Sequence, residues 1–260
     1  MSTTVLFALT SHADLGRTGE PTGFHLGETV TPWRLLRAAG HRVEFVSVGG
    51  GMPPMIGHDP ADPAQRAFLG RPDGGGALAV CPRPEEVDPQ RYGAVYYVGG
   101  HGTMWDFRGH RGLRAIGAAV YENGGVVSAI CHGPAALVDL RLAGGTPLVA
   151  GKELTAFPDD AEAARGLDTV VPFSLQSALE ERGALFRRAP DRQPCVVVSE
   201  RLVTGQNPQS AAGLGRSLVR LLGPAGAAGG LGDPAAADRP PVTRAARRRA
   251  YVPGGPPNRR

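Results

Sequence analysis

A chain of 260 residues, 42% hydrophobic and 20% charged, is long enough to bury a large core and reads as one α/β domain. Its formal charge of +4 comes from the end of the chain, where residues 224–260 hold seven arginines against Asp233 and Asp238, so the nearly neutral body argues against a nucleic-acid-binding domain. No apolar run is long enough to span a membrane, and three scattered cysteines (Cys81, Cys131, Cys195) with no C-x-x-C pair make neither a disulfide framework nor a zinc site.

The first residues lack a basic segment, so no signal peptide is expected and the chain reads as cytoplasmic and reduced. Val5–Leu9 is a compact apolar run, expected as the first, central strand of a parallel sheet. The polar, glycine-containing stretch 10–23 is long enough to roof a pocket. Phe24–Ala39 has helical spacing closed by Gly40, with Pro32 inside expected to kink it or mark a restart. Glu28 falls in the first turn, where an acid commonly serves only the helix dipole. Arg42–Val48 alternates as a second strand, and residues 50–92, rich in Gly, Pro and Asp, read as an insertion of loops with a helix near Pro63–Leu69.

Ala94–Val98 is a third buried strand that runs into Gly99-Gly100-His101-Gly102. Glycines directly after a parallel strand let backbone N–H groups approach a ligand, although no phosphate-cradling spacing is present. Leu113–Glu122 is the next helix. Leu154–Phe157 is a short strand, and Asp159, Asp160 and Glu162 open a helix whose dipole alone would explain them. Pro172–Arg182 is an amphipathic helix, Cys195–Val198 with Arg201–Thr204 a β-hairpin, and Pro208–Leu222 the last helix. From Pro224 the sequence has almost no large apolar residues, and 224–260 is expected to be a disordered tail.

The stretch that organises the chemistry is Val126-Val127-Ser128-Ala129-Ile130-Cys131-His132-Gly133-Pro134. A buried strand stops at Cys131, and Gly133-Pro134 reads as the start of a helix, which puts a thiol on a sharp strand-to-helix bend. That is the layout of a nucleophile elbow with sulfur in place of oxygen, and a helix N-terminus there is expected to lower the thiol pKa. A buried core thiol is the ordinary alternative. Binding sites in open α/β sheets lie at the carboxyl ends of strands, so the loops after Val98 and Ile130 share one crevice if their strands are neighbours.

Together with Thr22-Gly23-Phe24-His25-Leu26-Gly27-Glu28, Gly151-Lys152-Glu153-Leu154-Thr155-Ala156-Phe157 and Thr204-Gly205-Gln206-Asn207-Pro208, these motifs resemble the PfpI-type branch of the class I glutamine amidotransferase-like superfamily, most closely its heat-shock-protein-31-like glyoxalase III group. The resemblance covers roughly residues 4–222. It implies a flavodoxin-like sandwich with a mostly parallel central sheet, helices on both faces, and a homodimer. It implies Cys131 as nucleophile, His132 as its basic partner, Glu162 orienting the histidine and Glu28 contacting the sulfur. Gly99, Gly100 and His101 would supply the oxyanion and substrate-binding loop, with the N–H groups of Gly100 and His132 facing the oxyanion. No metal or organic cofactor is implied.

The expected reaction is conversion of methylglyoxal or a similar 2-oxoaldehyde to a 2-hydroxy acid without glutathione, through a Cys131 hemithioacetal. The same residues would also serve a cysteine peptidase or amidase, or a holdase chaperone that needs no Cys131. Glutamine hydrolysis is less favoured, because no synthase domain accompanies the chain. Cys131 and His132 are sequence neighbours, which do not face each other on a helix, so their pairing requires a non-helical bend.

Overall fold

The computed structural model describes residues 2–225. The expected disordered tail therefore lies outside the described residues, except for Pro224 and Ala225. In chain order the elements begin with β1 (Thr4–Leu9), β2 (Phe24–His25), α1 (Leu26–Ala38), β3 (Arg42–Ser47) and β4 (Met55–Ile56). The insertion then supplies α2 (Pro63–Leu69) and α3 (Gly75–Leu78) before β5 (Ala94–Tyr97), α4 (Thr103–Asp106), α5 (Arg111–Glu122) and β6 (Val126–Ile130). The remainder holds β7 (Glu153–Leu154), α6 (Asp159–Ala163), α7 (Leu175–Glu180), β8 (Leu185–Phe186), β9 (Val196–Ser199), β10 (Leu202–Gly205) and α8 (Ala211–Leu222).

Six strands form the main sheet in the order β3-β1-β5-β6-β10-β9, parallel throughout except for the β9–β10 hairpin. The parallel part has the flavodoxin-like arrangement, in which the order of connection reverses between β1 and β5 and ligands bind beyond the carboxyl ends nearby. β1 is thus an interior strand but not the central one; β5 and β6 are. The short, continuously apolar β5 and β6 are buried on both faces, as a central position requires.

Successive side chains of each strand enter opposite layers. Leu6, Ala8, Val95, Tyr97, Val127 and Ala129 pack with Leu113, Ile116 and Val120 of α5 and with Leu175 and Leu179 of α7. Val5, Phe7, Tyr96, Val126 and Val203 pack on the other side with Trp33 and Leu36 of α1, Phe68 of α2, and Leu214 and Leu218 of α8. The result is a helix–sheet–helix sandwich.

Helix α1 continues through Pro32 and starts two residues later than the apolar pattern suggested, because Phe24 and His25 pair with Met55 and Ile56 instead. Among the described residues no helix is long and apolar enough to cross a membrane. The stretch 10–23 does not roof the cavity described below. It buttresses the loop after β5, where Asp106 accepts hydrogen bonds from Thr10 Oγ1 (2.8 Å) and the Ser11 N–H (2.8 Å).

Candidate active site

Strand β6 delivers Cys131 in the left-handed region, φ 57°, one of three non-glycine residues with positive φ among those described. Such a conformation is uncommon for a side-chain-bearing residue and must be held by its surroundings. Here the Cys131 N–H donates to the Gly205 carbonyl at the end of β10 (2.8 Å), and its carbonyl accepts from the Phe157 N–H (2.8 Å). Both backbone groups are thereby pinned, and the bend brings the thiol against the imidazole of the next residue. His132 Nδ1 lies 3.3 Å from Cys131 Sγ.

On the far side of the ring, His132 Nε2 donates to Glu162 Oε2 (2.6 Å), while His101 Nε2 donates to Glu162 Oε1 (2.8 Å). A carboxylate only accepts, so the proton of a neutral His132 resides on Nε2, and Nδ1 presents a lone pair to the thiol. Burial foremost, then the neighbouring His101, bring His132 down to about 4, so the ring is neutral at neutral pH. Burial alone would raise Glu162, but the hydrogen bonds from His101 and His132 outweigh it and hold the carboxyl well below the usual carboxylate range. His101, His132 and Glu162 thus form a hydrogen-bonded relay. They are also the one set of three potential metal donors grouped among the described residues, within 4.8 Å of one another, though both histidine Nε2 atoms are already committed to Glu162.

Glu28 approaches the sulfur from α1. It is fully buried, and neither carboxyl oxygen has a hydrogen bond of normal geometry, although the Cys131 thiol and the Gly99 N–H face it. Burial pushes it up to about 8, against the smaller opposing pull of those two groups. Gly99 makes this approach feasible, since a Cβ there would collide with the Glu28 carboxyl, the Ile130 carbonyl and Cys131 Cβ. Gly100 has φ 114°, and a Cβ there would strike the Gly23 carbonyl. The two glycines are therefore steric requirements of the site, and the N–H groups of Gly100 and His132 have no oxygen acceptor among the described residues.

The thiol expectation needs correction. Burial, then the charge of Glu28, push Cys131 well above its ordinary value, only partly opposed by the His132 N–H. The segment after the elbow is a 3-10 turn, Gly133–Leu137, with Pro134 at its start as anticipated, and so short a turn brings little dipole to the sulfur. What favours a thiolate here is a transferable proton. If Glu28 keeps its proton, it adds no like charge beside the sulfur and can donate to it.

A cavity of about 300 Å³ opens onto Cys131, with Gly100, His101 and His132 in its wall. The sequence reading did not assign several of its other residues. Phe157 stacks on His132 (ring centroids 4.5 Å apart), and the Arg165 guanidinium lies over the other partner of that stack, 4.9 Å from the Phe157 centroid. His25 caps α1, its Nδ1 accepting from the Glu28 N–H (3.4 Å), which leaves the proton of the neutral ring on Nε2. Ile56, Asn207 and Pro208 complete the rim. Phe157, His25 and Asn207 lie inside the motifs recognised in the sequence, which was the available signal; Ile56, in the insertion, had none.

The sequence pattern of the DJ-1/PfpI family matches residues 21–221. The "Glutathione-independent glyoxalase HSP31" of Saccharomyces cerevisiae is 32% identical over 225 residues, covering 80% of this chain and 92% of that protein. "Glyoxalase 3" of Candida albicans is 30% identical, covering 80% and 93%. Among solved structures, glyoxalase III from Candida albicans superposes with a TM-score of 0.77 at 28% identity, covering 84% of this chain and 96% of that one. The Rapid Encystment Protein 24 kDa of Francisella tularensis superposes with a TM-score of 0.80 at 33% identity, covering 84% and 97%.

Proposed function

The chain belongs to the DJ-1/PfpI family, and from that premise we propose that it is a glutathione-independent glyoxalase, converting methylglyoxal or a related 2-oxoaldehyde to the 2-hydroxy acid. The observation that carries the reading is the placement of one sulfur between the His132 imidazole, 3.3 Å away, and the fully buried Glu28 carboxyl.

The chemistry follows from those two neighbours. The Cys131 proton passes to His132 Nδ1 as sulfur attacks the aldehyde carbon, and Glu162 stabilises the imidazolium so formed. The oxygen that becomes negative faces the N–H groups of Gly100 and His132 and takes the proton of Glu28. Glu28, now a carboxylate in an apolar setting, removes the hydrogen from the former aldehyde carbon while His132 protonates the keto oxygen, giving an enediol. Glu28 returns its proton to the second carbon, and His132 takes back the proton of the first hydroxyl, leaving a thioester. Glu28, left as the carboxylate, takes a proton from water as it attacks the thioester, and the His132 imidazolium returns its proton to the departing sulfur, so the hydroxy acid is released and thiol, neutral imidazole and protonated carboxyl are restored. The aldehyde carbon is oxidised and the keto carbon reduced within one molecule, so no external redox partner enters.

A cavity of about 300 Å³ suits a small aldehyde better than a peptide strand, which argues against the peptidase alternative. A homodimer belongs to this reading on the strength of the family resemblance and a cytoplasmic setting on the few, scattered cysteines, while a holdase chaperone is the competing non-enzymatic reading. The test is lactate formation from methylglyoxal with no thiol cofactor. Native protein should form it, and Cys131→Ala and Glu28→Gln should each lose at least about a hundredfold in kcat. Full activity in Cys131→Ser would sink the covalent route.

A further inference from the structure

We propose that the cavity selects 2-oxoaldehydes that carry a negatively charged tail, with Arg165 and Arg192 at its mouth as the subsite for the anion. This rests on the glyoxalase reading above and names the substrate class within it.

The first observation is space. A cavity of about 300 Å³ has the volume of about ten water molecules at roughly 30 Å³ each, so the smallest 2-oxoaldehydes fill only a fraction of it once bound to Cys131. The second is charge. The mouth holds Arg165 and Arg192 against the single acid Asp191. Arg165 Nη2 bonds both Asp191 oxygens (3.0 and 3.3 Å), while Arg192 Nε stands 3.8 Å from one of them, so one carboxylate is shared by two guanidiniums and a positive surplus remains. Deeper in, Glu162 lies behind the two histidines and is occupied by them, and His25 and His132 are both driven towards their neutral forms by burial.

The third observation is rigidity. Arg165 is packed on Phe157, donates to the Ala161 carbonyl (2.6 Å), and continues the stack that begins at His132. Its guanidinium is therefore held at a set distance from the reacting sulfur. Arg192, whose side chain is 82% exposed, is free to fold onto an arriving anion. A guanidinium fork matches a carboxylate in two parallel hydrogen bonds. The fitting substrate has the dicarbonyl at Cys131 and a carboxylate a few carbons away.

The experiment compares 4,5-dioxopentanoate with 2-oxopentanal, which has the same carbon count but no charge, with methylglyoxal as reference. At low ionic strength the native protein should favour the charged substrate about tenfold in kcat/KM, chiefly through KM, and the preference should shrink with added salt. Arg192→Gln should reduce the preference severalfold, and Arg192→Glu should reverse it, with methylglyoxal turnover within about twofold of native in both. Equal kcat/KM for the two five-carbon substrates, or a preference that survives Arg192→Glu, overturns the proposal. A binding arm separates it from the glyoxalase reading: the Cys131→Ala protein should bind 2-hydroxyglutarate more tightly than 2-hydroxypentanoate by calorimetry. Selective binding without turnover of any aldehyde would overturn the enzymatic reading and leave the anion subsite standing, whereas equal binding would overturn the subsite.

Discussion

Cys131 Sγ and His132 Nδ1 are 3.3 Å apart although their residues are chain neighbours, and the left-handed backbone at Cys131 is what turns the two side chains toward each other. On an α-helix or a strand, adjacent side chains diverge. The backbone strain of the elbow thus creates the thiol–imidazole pair, and the Gly205 and Phe157 hydrogen bonds hold it in place.

Glu162→Gln should leave the fold intact and lower kcat by about a hundredfold or more, because an amide neither enforces the Nε2 proton on His132 nor stabilises the imidazolium. Steady-state kinetics with methylglyoxal, alongside a circular dichroism spectrum matching native protein, measure this. An unchanged kcat would remove Glu162 from the relay.

Glu28 makes stability fall with rising pH. Its folded pKa of about 8 lies above the ordinary 4.5, so between those values the folded chain holds a proton that the unfolded chain has released. Stability from this group is fully present below about 4.5 and declines until about 8. Glu28→Gln should therefore become progressively more stable relative to native protein over that window, by several kcal/mol at its upper end. Urea unfolding at pH 5, 6.5 and 8 measures it, and a pH-independent difference would contradict the buried, protonated carboxyl.

The pH profile of kcat/KM should be a bell. Activity requires neutral His132, whose pKa of about 4 sets the acid limb, and protonated Glu28, whose pKa of about 8 sets the alkaline limb. An alkaline limb absent up to pH 10 would mean that Glu28 does not enter the reaction as an acid.

Gly99→Ala should cost about 2 kcal/mol or more and at least about a hundredfold in kcat, since its methyl group would force Glu28 and Cys131 apart. Thermal unfolding and methylglyoxal turnover together test it. A native-like variant would show that the close approach is dispensable.

His25→Asn keeps an oxygen to cap α1 but withdraws the imidazole from the cavity, whereas His25→Phe loses both. Asn should preserve the melting temperature and raise KM severalfold, while Phe should lower the melting temperature as well. Equal KM values in native protein and His25→Asn would remove His25 from substrate contact.

Much of this was legible in the linear chain. The apolar runs at Val5–Leu9, Ala94–Val98 and Val126–Ile130 mark buried parallel strands, because only strands covered on both faces need such runs, and Cys131-His132-Gly133-Pro134 marks the elbow. The family resemblance brought Glu28 and Glu162 into view, although each, taken locally, was an ordinary first-turn acid. The state of the thiol was not legible. Its elevation comes from burial and from Glu28, a residue about a hundred positions away whose approach depends on the missing side chain of Gly99.

The sequence by itself determined the sandwich and the bend after β6 that carries Cys131, because periodicity and turn chemistry are local properties of the chain. Only the tertiary structure decided which proton sits where. The sharing of Glu162 by two histidines, the His132 tautomer, the upward push of burial on Glu28 and the basic mouth all depend on distances between segments that meet only in the folded chain.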